Sequence, residues 1–205
     1  MIVVSFYTND KYKAMAERMK ASAERVGLNV HLYDYSSEDT SGWCNILYLK
    51  PHVILRALDE HKQDVLWVDA DTRFRQHPTE LFRMTGDPYI ACYVEGKKYL
   101  WGGLMWVRNA EGGRQIMELW KEENLKFPKG LDDHNCYHAI RRAGLGEKVF
   151  RLPPAYQWNG KMSQYRFPGA VPVVEHELVV TLGNKPLRAQ ETYDRPWTGP
   201  DKVKP

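Results

Sequence analysis

Asp64-Val-Leu-Trp-Val-Asp-Ala-Asp-Thr-Arg-Phe74 holds an uninterrupted apolar run, Val65 to Val68, that stops abruptly at two carboxylates, Asp69 and Asp71. So short and apolar a run reads as a strand buried on both faces, the kind found in parallel sheets flanked by helices. In open α/β sheets the ligand site lies just outside the carboxyl ends of such strands. Residues two apart project to the same side of an extended chain, so Asp69 and Asp71 can offer oxygens to one divalent cation. Mg²⁺ and Mn²⁺ take carboxylate oxygen and complete their shells with water and substrate phosphate. The arrangement therefore points to a metal-bridged diphosphate.

Upstream, Ile2 to Tyr7 reads as a first strand, followed by Thr8, Asn9 and Asp10, which offer helix caps. Tyr12, Met15, Ala16, Met19, Ala23 and Val26 then recur at helical intervals until Gly27 stops the helix. Leu28 to Tyr33 is a second strand, which gives a β-α-β opening. Asp34 to Trp43 is polar and reads as a loop. Asn45 to His61 has helical periodicity broken only by Pro51, so the helix either starts near Lys50 or bends there.

Downstream, His77 to Phe82 offers a short helix and Pro88 to Val94 a strand. Tyr99 to Asn109 is a strand interrupted by Gly102 and Gly103, as happens where a ligand or another backbone must come close. Ala110 to Phe127 is a helix with Ile116, Met117, Leu119 and Trp120 inward and Lys121, Glu122 and Glu123 outward. Gly130 opens a further helix reaching about Arg142, for which Asp132 or Asp133 would serve as N-cap. Val149 to Asn159 begins as a strand, and Val171 to Val174 is the last one, leading to Glu175-His176.

At 205 residues the length fits one domain with a sizeable core. A hydrophobic content of 43% and a charged content of 27% describe a soluble globular chain. No apolar segment approaches the ~20 residues of a membrane span, and the N-terminus lacks the basic region and cleavage site of a signal peptide. Cys44, Cys92 and Cys136 show neither metal-ligand nor disulfide spacing, which suits a reducing cytoplasm and core-packing roles. The net charge of +3 is mild and unclustered, so nucleic acid is not an expected partner.

Read with its flanks, Asp69-Ala-Asp71 resembles the DxD motif of GT-A-fold glycosyltransferases, the nucleotide-diphospho-sugar transferase superfamily, and most of all its small bacterial or phage members. The resemblance implies a Rossmann-like α/β fold with a mixed, mostly parallel central sheet flanked by helices. It also implies a hexosyltransferase that moves a sugar from a nucleotide-diphosphate sugar to the hydroxyl of a carbohydrate or other acceptor, in the cytoplasm of a bacterial or phage-infected cell. The transferase domain would cover residues 1–188, with 189–205 a polar, Pro-rich tail.

By the same resemblance, Tyr7, Thr8 and Asn9 lie near the nucleotide, where capping of the first helix is the competing use of Thr8 and Asn9. Lys50 reaches the donor, and Asp69 and Asp71 hold the cation with His176 as third ligand. Lys185, in Gly183-Asn-Lys-Pro186, meets the diphosphate. An imidazole ligand favours Mn²⁺ over Mg²⁺. Gly102 and Gly103 fall in the glycine strand that lines the donor-sugar pocket, although Trp101 stands where Asn is frequent. Asp132-Asp133 matches the acidic element that faces sugar or acceptor, with Asp133 ahead of Asp132 as catalytic carboxylate and His134 in place of the usual Gln. Tyr156 and Trp158 would shape the acceptor side.

Two other classes fit parts of the pattern. A haloacid-dehalogenase-like phosphatase would use Asp69 as nucleophile, but it carries Thr or Val where Arg73 stands and places its motif on the first strand. A non-catalytic nucleotide-sugar or carbohydrate-binding domain of the same fold would bind donor without turnover.

Overall fold

The computed structural model describes residues 1–37, 43–96, 99–128 and 130–177. The proposed tail, Lys185 and the 188 boundary lie outside the described residues. Strand β1 (Ile2–Tyr7) leads into helix α1 (Asp10–Arg25). The Asn9 side-chain oxygen caps that helix by accepting from the Tyr12 N–H at 3.0 Å. Gly27, at φ +84°, lets the chain turn out of it. Strand β2 (Val30–Asp34) begins two residues later than its apolar content suggests, because Leu28 packs into the core instead.

Helix α2 (Trp43–His61) runs through Pro51. It therefore starts well before Lys50, and the missing Pro51 amide removes one hydrogen bond, that to the Leu47 carbonyl. Strand β3 (Val65–Val68) is fully buried along its length. Next come β4 (Thr72–Phe74), β5 (Ile90–Glu95) and β6 (Tyr99–Val107). Helices α3 (Glu111–Lys126) and α4 (Asp132–Arg142) follow, then β7 (Val149–Arg151), the short α5 (Gly160–Arg166) and β8 (Val174–His176).

The main sheet has the order β2-β1-β3-β6-β5-β7, with β4 and β8 forming a separate antiparallel ribbon. Pairing is parallel at β1–β2, β1–β3 and β5–β7 and antiparallel where β6 meets β3 and β5. Residue parity divides the core between the two faces. Val4, Val65 and Trp67 pack toward Ile54, Leu58, Ile116 and Trp120 of α2 and α3. Val3, Leu66 and Val68 pack toward Met19 and Ala23 of α1 and Phe74 of β4. Burial on both faces explains why β3 shows no polar alternation.

Three local expectations change. Glu123 is buried on α3, where it pairs with Arg142 at 2.6 Å and Lys126 at 3.3 Å instead of facing solvent. The N-cap of α4 is Leu131, which makes no side-chain capping bond, so Asp132 and Asp133 occupy the first helical turn. His176 closes β8 itself, pairing opposite Thr72. Among the described residues no helix is long and apolar enough to cross a membrane.

Candidate active site

A cavity of about 240 Å³ opens at the carboxyl ends of β1 and β3. Its wall draws on β1, α1, α2, the turn after β3, β6, the start of α4 and β8, and it includes Asp69, Asp71, Asp132, Asp133, Lys50 and His176. Segments far apart in the chain converge here because three strands and two helices end at the same edge.

Asp69 is fixed at every point. Its N–H donates to the Gly103 carbonyl at 2.8 Å, its carbonyl accepts from the Thr72 hydroxyl at 2.8 Å, and its Oδ1 accepts from Trp67 Nε1 at 3.1 Å. Asp71 is tied through its carbonyl to the Glu177 N–H at 2.7 Å. Burial together with the neighbouring Asp69 charge pushes its carboxyl up to about 7.

Lys50, buried on α2, places Nζ 3.0 Å from Asp69 Oδ1 and 2.8 Å from Asp132 Oδ2. Burial works against its charge, but Asp132, Asp69 and Asp133 outweigh that and hold the ammonium well above the usual lysine range. The lysine thereby bridges the end of β3 to the start of α4. Its ammonium also forms part of the cavity wall.

The paired glycines have a concrete purpose. One step along β5 from Cys92 to Tyr93 matches a jump from Met105 to Trp101 on β6, so Gly102 and Gly103 lie in a bulge. The Gly102 N–H donates to Asp133 Oδ1 at 2.8 Å, and a Cβ at Gly102 would stand 2.6 Å from that oxygen. A Cβ at Gly103 would meet His176 Cε1 at 2.7 Å. What comes close to this strand is thus the catalytic-candidate acid on one side and the histidine on the other. Burial and the adjacent Asp132 charge push the Asp133 carboxyl up to about 8, against the opposing pull of Lys50 and the Gly102 N–H.

Burial pushes His176 down to about 4, so the ring is neutral at ordinary pH. Its Nε2 is buried without a hydrogen-bond partner among the described residues, an orphan that a buried polar atom should not remain. A neutral imidazole with a free nitrogen beside Asp69 and Asp71 has the donor chemistry for a divalent cation. Four carboxyl groups line the cavity with Lys50 and Lys11, and a cation there would draw Asp71 and Asp133, both raised by burial, into their charged forms. The three side chains are not drawn up to ligating distance of one another: among the described residues, the group of three donors within 4.8 Å is His31, Glu60 and His61. The acids and His176 therefore fit the cation by chemistry and position, with side-chain adjustment on binding.

Tyr7 and Thr8 line the cavity. Tyr7 donates its hydroxyl to Asp34 Oδ2 at 3.0 Å, whereas the Thr8 hydroxyl is buried without a partner among the described residues. Asn9 serves as the α1 cap and does not reach the wall. Gly102 stands behind the wall and Gly103 on it. Tyr156 and Trp158 are buried in the core, and Gln157 between them faces the cavity. Tyr12 and Met15 of α1 also line it; both carried only a helix-period signal, which cannot separate a core face from a pocket wall.

A family model for nucleotide-diphospho-sugar transferases matches residues 11–180. Among solved structures, a glycosyltransferase involved in glycosylation of the major capsid of PBCV-1 superposes with a TM-score of 0.68 at 12% identity, covering 85% of this chain and 92% of that one. The glycosyltransferase GlyE of Streptococcus pneumoniae TIGR4 gives 0.60 at 15% identity, covering 94% of this chain and 58% of its own longer one. The galactosyltransferase LgtC, solved with donor and acceptor sugar analogs, gives 0.53 at 15% identity, with 86% of each chain covered. At such identities the likeness is one of fold. No curated protein sequence matches the chain.

Proposed function

We propose, for a chain that belongs to the nucleotide-diphospho-sugar transferase family, that it transfers a sugar from a nucleotide-diphosphate sugar to an acceptor hydroxyl with the help of a divalent cation. The observation that carries this reading is Lys50, buried between Asp69 and Asp132, which joins the acids at the end of β3 to those opening α4 in one cavity. A phosphatase nucleophile at Asp69 is disfavoured by the same contacts, because Lys50 and Trp67 already engage that carboxylate.

Asp69, Asp71 and His176 would hold Mn²⁺ or Mg²⁺. When bound there, the cation supplies positive charge to the diphosphate as it leaves. The chain's residues provide the rest. Tyr7 and the unpartnered Thr8 hydroxyl stand where β1 ends and suit the nucleotide. Lys50 fixes the carboxylate of Asp69 and brings its charge to the cavity wall beside the diphosphate, and Lys185 is proposed as its second cationic partner. Gly103 gives His176 room to present Nε2. Asp133, held on the Gly102 N–H and made a stronger base by burial, is suited in its ionised form to take the proton of the acceptor hydroxyl as that oxygen attacks the anomeric carbon. Asp132 keeps Lys50 in place.

Asp71→Asn and Asp133→Asn separate these roles. The first should abolish cation-dependent nucleotide binding with the fold intact, and normal binding by that variant would remove the cation reading. The second should bind nucleotide normally and lose turnover by roughly 10²–10⁴-fold, the range for a general base. Unchanged turnover would reduce Asp133 to a partner of the glycine strand.

A further inference from the structure

At the opposite end of α2 from the active-site lysine, the chain gathers a second set of donors. His31 lies on the edge strand β2, and Glu60 and His61 end α2. One ligand atom from each lies within 4.8 Å of the others. Glu60 is ten residues from Lys50, roughly 15 Å along a helix axis, so this cluster is separate from the nucleotide cavity.

The groups are prepared in ways that core packing does not require. His61 Nε2 is buried without a hydrogen-bond partner among the described residues. The two imidazoles stand with centroids 5.0 Å apart in an edge-on arrangement. Glu60 is oriented by both neighbours: Oε1 accepts from Arg56 Nε at 2.7 Å and Oε2 from the Tyr33 hydroxyl at 2.8 Å. Each oxygen keeps a second lone pair, and carboxylates that ligate metals are characteristically hydrogen-bonded from behind in this way. The helix C-terminus adds a negative dipole end that favours a cation and offsets the nearby Arg56.

We propose that His31, Glu60 and His61 form a binding site for a borderline transition-metal cation, Zn²⁺ foremost, distinct from the cation of the transferase reaction. Two imidazoles and one carboxylate are a donor set that Zn²⁺ accepts, with water in the fourth position of its tetrahedron. Mg²⁺, which prefers an all-oxygen shell, is not matched by it. Ligands drawn from β2 and from the end of α2 would clamp the edge strand onto the helix whose other half carries Lys50. The site needs nothing from the nucleotide cavity, so it stands or falls independently of the transferase reading.

The test is calorimetric titration of the full chain with Zn²⁺ alone, on wild type, the double variant His31→Gln/His61→Gln and the double variant Asp69→Asn/Asp71→Asn. The site predicts a one-to-one Zn²⁺ component that survives in the aspartate variant and disappears in the histidine variant, which should retain Mn²⁺-dependent nucleotide binding. A component that disappears only with the aspartates, one that persists without the histidines, or no binding to wild type would each overturn the proposal. Should the histidine variant fail to fold, imidazole nitrogen NMR of the wild-type chain under Zn²⁺ gives the same decision. His31 and His61 signals should shift first, and a shift of His176 alone would refute the site.

Discussion

Gly102 and Gly103 stand at the point where a single added methyl group separates function from stability. At Gly102 the Cβ would press on the end of a flexible side chain, Asp133 Oδ1 at 2.6 Å, so Gly102→Ala should fold with a Tm near that of wild type. Displacing the carboxylate should nevertheless lower turnover by roughly 10–100-fold, since misplacement by about 1 Å is that costly. Gly103→Ala meets the buried ring of His176 at 2.7 Å and should lose about 1–3 kcal/mol of stability as well. Equal turnover for Gly102→Ala and wild type would detach Asp133 from the chemistry. The Asp133 carboxyl also gives the nucleotide-free protein a pH signature. Its folded value of about 8 lies above its ordinary value of 3.8, so the folded chain keeps a proton that the unfolded chain releases, and the stability this contributes is lost as pH rises through 8. His176, lowered from 6.5 to about 4, and Asp71, raised to about 7, also change protonation on folding, but both are common to wild type and Asp133→Asn and drop out of the difference between them. Between about pH 6.5 and 8.5, wild type should lose on the order of 1 kcal/mol more than Asp133→Asn, after discounting for solvent screening. Thermal melts at both pH values check this, and identical slopes would contradict it. At this scale the sequence was partly legible: acids after an apolar strand announce themselves by position, but no spacing rule says that Gln157, not Tyr156 or Trp158, faces the cavity.

The elements that were easiest to read are those whose periodicity is settled by burial on one or both faces. Val65–Val68 and the α1 repeat correspond to β3 and α1 because the sheet sandwiches one and supports the other. Boundaries shifted where a side chain found a better use than its local propensity suggested. Leu28 left β2 for the core, and Asp132 and Asp133 gave up capping to face Lys50 and Gly102. Glu123 departs from its charge pattern for a similar reason: Arg142 and Lys126 compensate it where α3 meets α4. Removing it leaves Arg142 with Glu122, its remaining carboxylate contact at 2.9 Å, and opens space in a packed seam. Glu123→Ala should therefore cost about 1–3 kcal/mol in denaturant unfolding. Because α4 carries Asp132 and Asp133, the variant should lower kcat more than it weakens nucleotide binding; a change confined to binding would speak against α4 as the catalytic helix.

For the whole molecule, the β-α-β opening was evident in the sequence while the order of strands was not. Nothing local indicates that β6 inserts antiparallel between β3 and β5, or that β4 leaves the main sheet to pair with β8. Those long-range pairings bring His176 and the glycine strand to the acids of β3. They also concentrate Asp69, Asp71, Asp132 and Asp133 around the buried Lys50. A diphosphate that enters beside Asp69 and Asp132, the acids Lys50 bridges, needs a divalent cation to offset the added negative charge. The central claim is thus a coupling, nucleotide binding that requires metal, and the most direct test is the melting temperature of the full chain with UDP, GDP, CDP and dTDP, each with Mn²⁺ and with EDTA. A ligand at about 100 times its Kd stabilises by ~2.7 kcal/mol, a rise of roughly 5–10 °C for a domain of this size. A rise of that order with one nucleotide in Mn²⁺ and none in EDTA is the predicted result; equal shifts in both, or none with any nucleotide, would contradict the account.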